Sequence, residues 1–212
     1  MADAYLNSSS LAYAENFLPE DEVIGAARAR GAELGCVPIG RGGGATLRLL
    51  ATLVSAKSVV EVGTGAGVSG LWLLSGMRPD GVLTTVDTEP EHQRATKQAF
   101  TEAGIATTRY RLINGAAAEV LPRLNDSSYV LVFVDADKTG YSVNYEQGVR
   151  LLRTGGVLAF DNVLWHDRVA DQNVRDADTV ALRELGRTLR EDARLVPALL
   201  PVGDGLLVAA KR

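Results

Sequence analysis

The chain has 212 residues, of which 46% are hydrophobic and 23% are charged. This composition is typical of a globular domain and argues against a disordered, collagen-like or coiled-coil chain. The 22 basic and 26 acidic residues leave a net charge of −4, so neither nucleic acid nor an anionic membrane is an expected partner. The single cysteine, Cys36, excludes an intrachain disulfide and a cysteine-built zinc site, and it predicts a cytoplasmic location.

The N-terminal residues do not resemble a targeting segment. Residues 1–19 lack the basic and apolar stretches of a secretory signal, and no run approaches the roughly 20 apolar residues that span a bilayer. We predict that residues 1–19 form an N-terminal arm, either disordered or docked on the fold or on a partner subunit. Residues 20–212 are predicted to form a single domain, since no repeat or low-complexity linker divides them.

Helical and strand patterns alternate along the rest of the chain. The predicted helices cover 20–34, 45–56, 68–77, 90–103, 116–124, 139–153 and 178–192. The predicted strands cover 58–62, 82–86, 109–114, 129–134, 156–160, 194–200 and 205–210. The glycine-rich stretch 35–44 predicts a break between two helices, and the polar stretch 163–177 predicts a loop over the sheet edge.

This order of elements predicts an α/β fold with a Rossmann-like, doubly wound, mostly parallel sheet of seven strands. Alternation of strands with helices indicates a parallel sheet that is covered on both faces. The last two strands flank PVGDG at 201–205, a hairpin signal, so one antiparallel strand is expected near the C-terminus. In such sheets ligands bind beyond the carboxyl ends of the strands, and we expect the functional residues there.

A glycine-rich loop follows the first predicted strand. Residues 65–70, GAGVSG, match G-x-G-x-x-G, and Asp87 ends the next strand 20 residues beyond Gly67. The glycines allow a ligand to approach the backbone, and a carboxylate at the second strand end can bind the two hydroxyls of a ribose. By itself this pattern also fits an NAD(P)-dependent Rossmann oxidoreductase.

Glu61 narrows the choice of ligand. It ends the first strand two residues before Gly63, which widens the motif to E-x-G-x-G. A carboxylate there would repel a pyrophosphate and favours a ligand that carries an ammonium or sulfonium group. Other roles stay open: Glu61 could pair with a loop N–H or an arginine, Asp87 could cap a turn, and Ser69 could cap its helix instead of touching the ligand.

Acidic and amide side chains also end two later strands. VFVDADK carries Asp135, Asp137 and Lys138, and AFDNVLW carries Asp161 and Asn162. Neighbouring strands lie about 4.8 Å apart, so their ends can share one ion. Asp135, Asp161 and Asn162 offer only oxygen ligands, which predicts a hard cation such as Mg²⁺, with Ca²⁺ or Mn²⁺ as further candidates, and not zinc or copper. A set of turn and cap residues is the alternative.

Lys138 follows Asp135 by three residues and is a candidate general base, unless it is a surface lysine paired with Asp137. The only histidines of the sequence are His92 and His166. His92 falls in the first turn of a helix and is expected to be exposed, whereas His166 lies in the polar loop and could touch a substrate. No serine nucleophile motif is present, so a catalytic triad is not predicted.

Four segments together resemble a known family: VVEVGTGAGVSGLWLL, TVDTEP, VFVDADKTGYSVNY and FDNVLW. They are similar to the class I S-adenosylmethionine-dependent O-methyltransferases of the catechol and caffeoyl-CoA type, and most of all to the small bacterial members. The resemblance covers residues 20–212 and implies a seven-stranded sheet with one antiparallel inserted strand. It also implies methyl transfer to a hydroxyl of a small aromatic acceptor, either catechol-like or hydroxycinnamoyl-like, a divalent metal and a homodimer.

The resemblance further implies roles for individual residues. The S-adenosylmethionine pocket would be lined by Ile39, Glu61, Gly63, Thr64, Gly65, Ser69, Asp87, Ala116 and Asp137. The metal would be held by Asp135, Asp161 and Asn162. Lys138 matches the catalytic base of the catechol enzymes, Asp135 also lies near the substrate, and His166 falls at a substrate-contacting position of the caffeoyl-CoA enzymes. Residues 41–44, RGGG, depart from the family pattern.

Two other functions stay open on the sequence alone. An NAD(P)-dependent oxidoreductase is supported only by GAGVSG and Asp87, and it would bind NAD in place of S-adenosylmethionine. A non-catalytic S-adenosylmethionine-binding module would keep the pocket without transferring a methyl group. The complete set of Asp135, Lys138, Asp161 and Asn162 argues against such a module.

Overall fold

The computed structural model describes residues 7–212, apart from the side chain of residue 139. The helices are α1 Ser8–Glu15, α2 Glu22–Glu33, α3 Arg41–Leu53, α4 Val68–Gly76, α5 Pro90–Glu102, α6 Ala117–Val120, α7 Tyr141–Leu151 and α8 Ala177–Glu191. Short 3-10 turns cover Thr107–Arg109, Leu121–Arg123 and Lys138–Gly140. The strands are β1 Ser58–Val62, β2 Val82–Asp87, β3 Tyr110–Asn114, β4 Tyr129–Val134, β5 Leu152–Phe160, β6 Leu195–Leu200 and β7 Leu206–Lys211. Among residues 7–212, no helix has the length and apolar character needed to cross a bilayer.

The seven strands form one sheet in the order β3-β2-β1-β4-β5-β7-β6. The first five strands in this order, from β3 to β5, are parallel to one another. Strand β7 runs antiparallel to both β5 and β6. The predicted Rossmann-like fold with one antiparallel strand is therefore confirmed. The strand order reverses between β1 and β4, and this switch point is where a ligand is expected in such a sheet.

Each face of the sheet is covered by a hydrophobic cluster. Side chains alternate between the faces along a strand, so Phe133 of β4 belongs to one cluster and its neighbour Val134 to the other. The first cluster contains Trp72 of α4, and the second contains Leu185 of α8. Burial on both faces explains why the central strand β4, YVLVFV, is continuously apolar.

Helix α3 begins at Arg41, within the stretch 35–44 for which the glycines predicted a break. That prediction was wrong from residue 41 onward. A Cβ atom on Gly44 would lie only 2.3 Å from the ring of Trp72, so glycine permits the close packing of α3 on α4. A glycine inside a helix costs about 0.5–1 kcal/mol relative to alanine, and this contact offsets the cost.

Two other boundaries differ from the predictions. The helix predicted over 116–124 is one α-helical turn followed by a 3-10 turn, because Pro122 has no N–H with which to continue the helical ladder. Strand β5 begins at Leu152 and not at residue 156, so α7 ends at Leu151.

The described part of the N-terminal arm contains α1, which has no buried residue. The carboxylate of Glu15 attaches this helix to the domain. It accepts hydrogen bonds from the backbone N–H groups of Gly42 at 2.9 Å and Gly203 at 3.1 Å. Helix α1 thus rests on the start of α3 and on the β6–β7 turn, while residues 1–6 of the arm lie outside the described residues.

Candidate active site

A cavity of about 680 Å³ opens at the carboxyl ends of the central strands, around the switch point. Its walls come from the segment before α3, the loop after β1, the turn between β2 and α5, the start of α6 and the turn after β4. Trp165, in the loop after β5, also lines it. A cavity of this size and position is typical of a binding site for a nucleoside cofactor together with a small second ligand.

The glycine loop brings the two predicted groups of site residues together. Gly63 has a φ angle of +95°, and a Cβ atom there would lie 1.8 Å from the carbonyl oxygen of Asp135. Only glycine tolerates both the left-handed backbone and this close approach. The loop after β1 therefore lies directly against the turn after β4.

Glu61 lies behind this loop and is 0% exposed. Burial raises the pKa of its carboxyl to about 7, although the hydroxyls of Thr85 and Ser69 act in the opposite direction. Within the described residues, neither carboxylate oxygen receives a hydrogen bond of regular geometry. An ionised Glu61 is therefore poorly compensated, and a nearby cationic ligand would stabilise its charge.

The hydroxyl of Thr64 is used within the fold. It lies 2.6 Å from the hydroxyl of Thr85 and accepts a hydrogen bond from the side chain of Gln93 at 3.3 Å. Thr64 also lines the cavity. Ile39 also lines the cavity, and its carbonyl accepts a hydrogen bond from Arg28 at 2.7 Å, which holds the segment before α3 in place.

Asp87 lies at the end of β2, where its two carboxylate oxygens accept backbone hydrogen bonds. Gly65 N–H donates to Oδ2 at 3.0 Å and Glu89 N–H donates to Oδ1 at 2.9 Å. The cavity wall beside it also includes Ala116, at the start of α6.

His92 lines the same cavity and its side chain is only 21% exposed, so the prediction that it is exposed was wrong. The first turn of α5 faces the segment before α3, where Cys36 Sγ lies 3.3 Å from His92 Nε2. Burial raises the pKa of the Cys36 thiol, and the charges of Asp87 and Asp135 add to this effect.

Lys138 is the centre of a second polar group, in which it contacts the side chains of Asp135 and Asn162 and reaches the backbone of Asp161 through Tyr141. Its ammonium donates to Asn162 Oδ1 at 2.9 Å and to Tyr141 Oη at 2.7 Å, and it lies 3.5 Å from Asp135 Oδ1. Tyr141 in turn donates to the carbonyl of Asp161 at 3.0 Å. Lys138 is therefore a buried, oriented amine and not a surface residue.

Asp135 and Asp161, the two acids of this group, are harder to ionise than ordinary carboxyl groups. Burial, and then the charge of Asp135, raises the pKa of Asp161 to about 7. Burial also raises the pKa of Asp135, although Lys138 partly counteracts it. Within the described residues, no three side chains of the Asp, Glu, His and Cys types are arranged to hold a metal. A cation in this place would therefore need the amide oxygen of Asn162 as its third protein ligand.

The two remaining predicted residues differ in position. Asp137 lines the cavity. His166 lies outside the cavity wall, and its side chain is 79% exposed. Its backbone N–H donates to Asp204 at 2.8 Å. Its ring stacks on Trp165, with 5.8 Å between the ring centres. A substrate contact by His166 stays a prediction.

Two features define a class I, Rossmann-like methyltransferase. One is the fold with its inserted antiparallel strand, and the other is the glycine loop at the switch point with Glu61 before it. A family model described as O-methyltransferase matches residues 12–212. A candidate O-methyltransferase of Mycobacterium sp. (strain KMS) is 54% identical over 201 residues, which cover 95% of this chain and 91% of that protein. A relative in Mycolicibacterium smegmatis is 52% identical over 199 residues, covering 94% and 95%.

Solved structures agree with this class. A Corynebacterium glutamicum protein is 32% identical, with a TM-score of 0.88 and 94% of each chain covered. The O-methyltransferase TomG of Streptomyces achromogenes, solved in complex with S-adenosylmethionine, is 27% identical, with a TM-score of 0.86 and coverage of 100% and 99%. This chain belongs to the O-methyltransferase family, which sets aside the oxidoreductase alternative.

Proposed function

We propose that this methyltransferase acts on a hydroxyl of a small aromatic acceptor, catechol-like or hydroxycinnamoyl-like, with the help of a divalent metal. The observation that carries the proposal is the group formed by Asp135, Lys138, Asp161 and Asn162 beside the glycine loop. An oriented amine among oxygen ligands is what orientation and deprotonation of a hydroxyl require. Trp165 in the cavity wall offers a flat apolar surface for an aromatic ring.

In this proposal the cofactor is S-adenosylmethionine, and it lies along the glycine loop. Asp87 would accept the ribose hydroxyls, Glu61 would stabilise the cationic part of the cofactor, and Ala116 would border the adenine. Further contacts would come from Ile39, Gly63, Thr64, Gly65, Ser69 and Asp137. The support is that Asp87 ends β2 at the cavity wall and that, in the part of the chain that the structure describes, neither buried oxygen of Glu61 has a hydrogen-bond partner of regular geometry.

Asp135, Asp161 and Asn162 would hold the metal. Their chemistry fits a hard cation, because they provide only oxygen donors and because two of them are acids whose pKa values are raised by burial. Mg²⁺ is the first candidate, and Ca²⁺ or Mn²⁺ would suit the same ligands. When bound, the metal would supply positive charge that lowers the pKa of an acceptor hydroxyl.

The side chains of this site would then perform the transfer. Lys138, held by Tyr141 and Asn162, would take the proton of the acceptor hydroxyl in its neutral amine form, and would thereby become an ammonium. The acceptor oxygen forms a bond to the methyl carbon while the carbon–sulfur bond breaks and its electron pair stays on sulfur. The leaving sulfur becomes neutral, so no acid is needed. Alignment of oxygen, carbon and sulfur is the main contribution of the protein and can lower a barrier by about 7–11 kcal/mol.

The test is a methyl-transfer assay with Mg²⁺ and paired acceptors, in which each dihydroxy compound is matched by its monohydroxy counterpart. We expect transfer to the dihydroxy compounds and its loss in EDTA. Asp135→Asn should lower turnover by at least about 100-fold while S-adenosylhomocysteine affinity stays within about twofold. Glu146→Gln, an exposed acid on α7, is the control and should behave as wild type.

The other outcomes separate the parts of the proposal. Full activity in EDTA would overturn the metal role, and equal transfer to both members of each pair would overturn the requirement for two hydroxyls. Normal S-adenosylmethionine binding without transfer to any acceptor would favour a non-catalytic module. A homodimer and a cytoplasmic location, which the resemblance and the single cysteine imply, remain predictions.

A further inference from the structure

His92 connects two residues of the cavity wall that come from different parts of the chain. Its Nδ1 atom lies 3.2 Å from both carboxylate oxygens of Asp87, and its Nε2 atom lies 3.3 Å from Cys36 Sγ. All three side chains line the cavity. The side chain of Asp87 is only 10% exposed, so His92 contacts a carboxylate that is largely enclosed.

The hydrogen-bonding partners of His92 indicate which of its ring nitrogens carries a proton. An ionised carboxylate only accepts hydrogen bonds, so His92 Nδ1 carries the proton that points to Asp87. In the tautomer with the proton on Nδ1, Nε2 is an acceptor. The thiol of Cys36, whose pKa is raised, keeps its proton and can donate it to Nε2. The three residues therefore form a directed chain of hydrogen bonds from Cys36 through His92 to Asp87.

The carboxylate of Asp87 is thus oriented by donors from three places. Gly65 belongs to the loop after β1, Glu89 to the turn after β2, and His92 to α5. The two backbone donors each bind one oxygen, whereas the imidazole is equidistant from both. Loss of the imidazole would remove one of the three donors that restrict rotation of the carboxylate about its last side-chain bond, and would leave one backbone donor on each oxygen.

We propose that His92 is a positioning residue for the ribose hydroxyls: it orients the Asp87 carboxylate, with Cys36 holding the far side of its ring. The inference rests on the proposed assignment of Asp87 to the ribose. It predicts that affinity for the cofactor depends on a donor at the position of Nδ1 and not on the aromatic ring. A preoriented carboxylate binds a diol more tightly, because less side-chain freedom is lost on binding.

The test compares His92→Asn with His92→Phe by titration calorimetry with S-adenosylhomocysteine. The amide nitrogen of asparagine can take the place of Nδ1, whereas phenylalanine keeps the ring and loses the donor. We expect His92→Phe to bind about tenfold more weakly and His92→Asn to stay within about threefold of wild type. Lys97→Phe, on an exposed position of the same helix, is the control for placing phenylalanine on α5.

A cofactor analogue distinguishes positioning from a general structural effect. The 2′,3′-dideoxy analogue of S-adenosylhomocysteine lacks the hydroxyls, so His92→Phe and wild type should bind it equally. In turnover, the KM for S-adenosylmethionine should rise about tenfold while kcat changes little. A merely structural role would weaken binding of both ligands alike and would overturn the inference.

Two further results would contradict the inference in different ways. Tighter binding by His92→Phe would mean that the imidazole competes with the ribose for Asp87. If His92→Phe binds S-adenosylhomocysteine as wild type does while Asp87→Asn binds it weakly, the positioning role of His92 is overturned and the assignment of Asp87 stands. Unchanged binding by Asp87→Asn would instead overturn the assignment of Asp87, and with it the premise of the inference.

Discussion

Glu61 is an acid that folding places in an unfavourable environment. Its pKa in the folded chain is about 7, against an ordinary value of 4.5. The carboxyl therefore stabilises the fold most below pH 4.5, and this contribution is lost as the pH rises through 7. The full difference amounts to about 3 kcal/mol in the free energy of unfolding. A permanently neutral side chain of the same size should not show this loss.

We therefore compare the free energies of unfolding of Glu61→Gln and wild type at two pH values. The value for Glu61→Gln minus that for wild type should be about 2–3 kcal/mol larger at pH 8 than at pH 5. Urea unfolding of the cofactor-free chain in EDTA measures this difference. Glu146→Gln, at an exposed position, should follow the wild-type curve. Parallel pH dependence in Glu61→Gln and wild type would mean that Glu61 titrates near its ordinary pKa.

Individual site residues differ in how far the sequence could predict them. Asp135, Asp161 and Asn162 follow strands directly, and the carboxyl ends of parallel strands meet at one edge, so their proximity could be predicted. The position of His92 could not. Its partner Cys36 is 56 residues earlier in the chain, and helix periodicity carries no information on a contact between a helix and a distant loop.

The loop between β5 and α8 shows how one side chain can bind a loop at several points. Trp165, His166 and Asp167 have φ angles of 52°, 54° and 63°, a left-handed conformation that costs a non-glycine residue about 1–3 kcal/mol. Arg183 of α8 supports the loop. Its guanidinium donates to the carbonyls of Arg168 at 2.9 Å, Val169 at 3.0 Å and Val174 at 2.6 Å, and also contacts the carbonyl of Asp171.

Arg183→Lys should loosen this loop, because a lysine ammonium cannot reach all of these carbonyls at once. We expect trypsin to cleave within residues 163–176 about tenfold faster than in wild type. The KM for the acceptor should rise, since Trp165 lies in this loop, while S-adenosylhomocysteine affinity stays unchanged. Arg190→Lys, exposed on the same helix, is the matched control. Equal cleavage rates in the two variants would show that Arg183 does not hold the loop.

Helix boundaries were predictable where a cap residue or proline marks them, as at Pro90 of α5. They were not predictable where tertiary packing overrides propensity. The glycines that begin α3 suggest a break, and the packing of Gly44 against Trp72 explains why a glycine stands inside a helix there. Such a contact between two helices cannot be read from the composition of either one.

At the scale of the whole molecule, the alternation of strands and helices predicts a parallel sheet but not its strand order. The terminal hairpin indicates that β6 and β7 pair, yet either strand could lie next to β5. The structure pairs β7 with β5, and this places the antiparallel strand inside the sheet. The family resemblance supplied that arrangement, because the hairpin signal alone is compatible with both.

The cavity has a consequence for global stability, because its wall contains residues from Cys36 to Trp165 and thus depends on most of the domain being folded. A ligand that binds only the folded chain raises its free energy of unfolding by about 2.7 kcal/mol at 100 times its Kd. For a domain of this length we expect S-adenosylhomocysteine to raise Tm by about 5–10 °C at that concentration, as measured by scanning calorimetry.

NADH at the same concentration should leave Tm unchanged, because the carboxyl of Glu61 behind the glycine loop disfavours a pyrophosphate. Asp87→Asn should show a smaller shift than wild type at equal ligand concentration, since one carboxylate oxygen is replaced by a donor that cannot accept a ribose hydroxyl. Because the shift follows the logarithm of ligand concentration over Kd, a tenfold weaker Kd should remove about 1.4 kcal/mol of the stabilisation. An equal shift with NADH and S-adenosylhomocysteine would contradict the selectivity assigned to Glu61, whereas an equal shift in Asp87→Asn and wild type would contradict the role of Asp87.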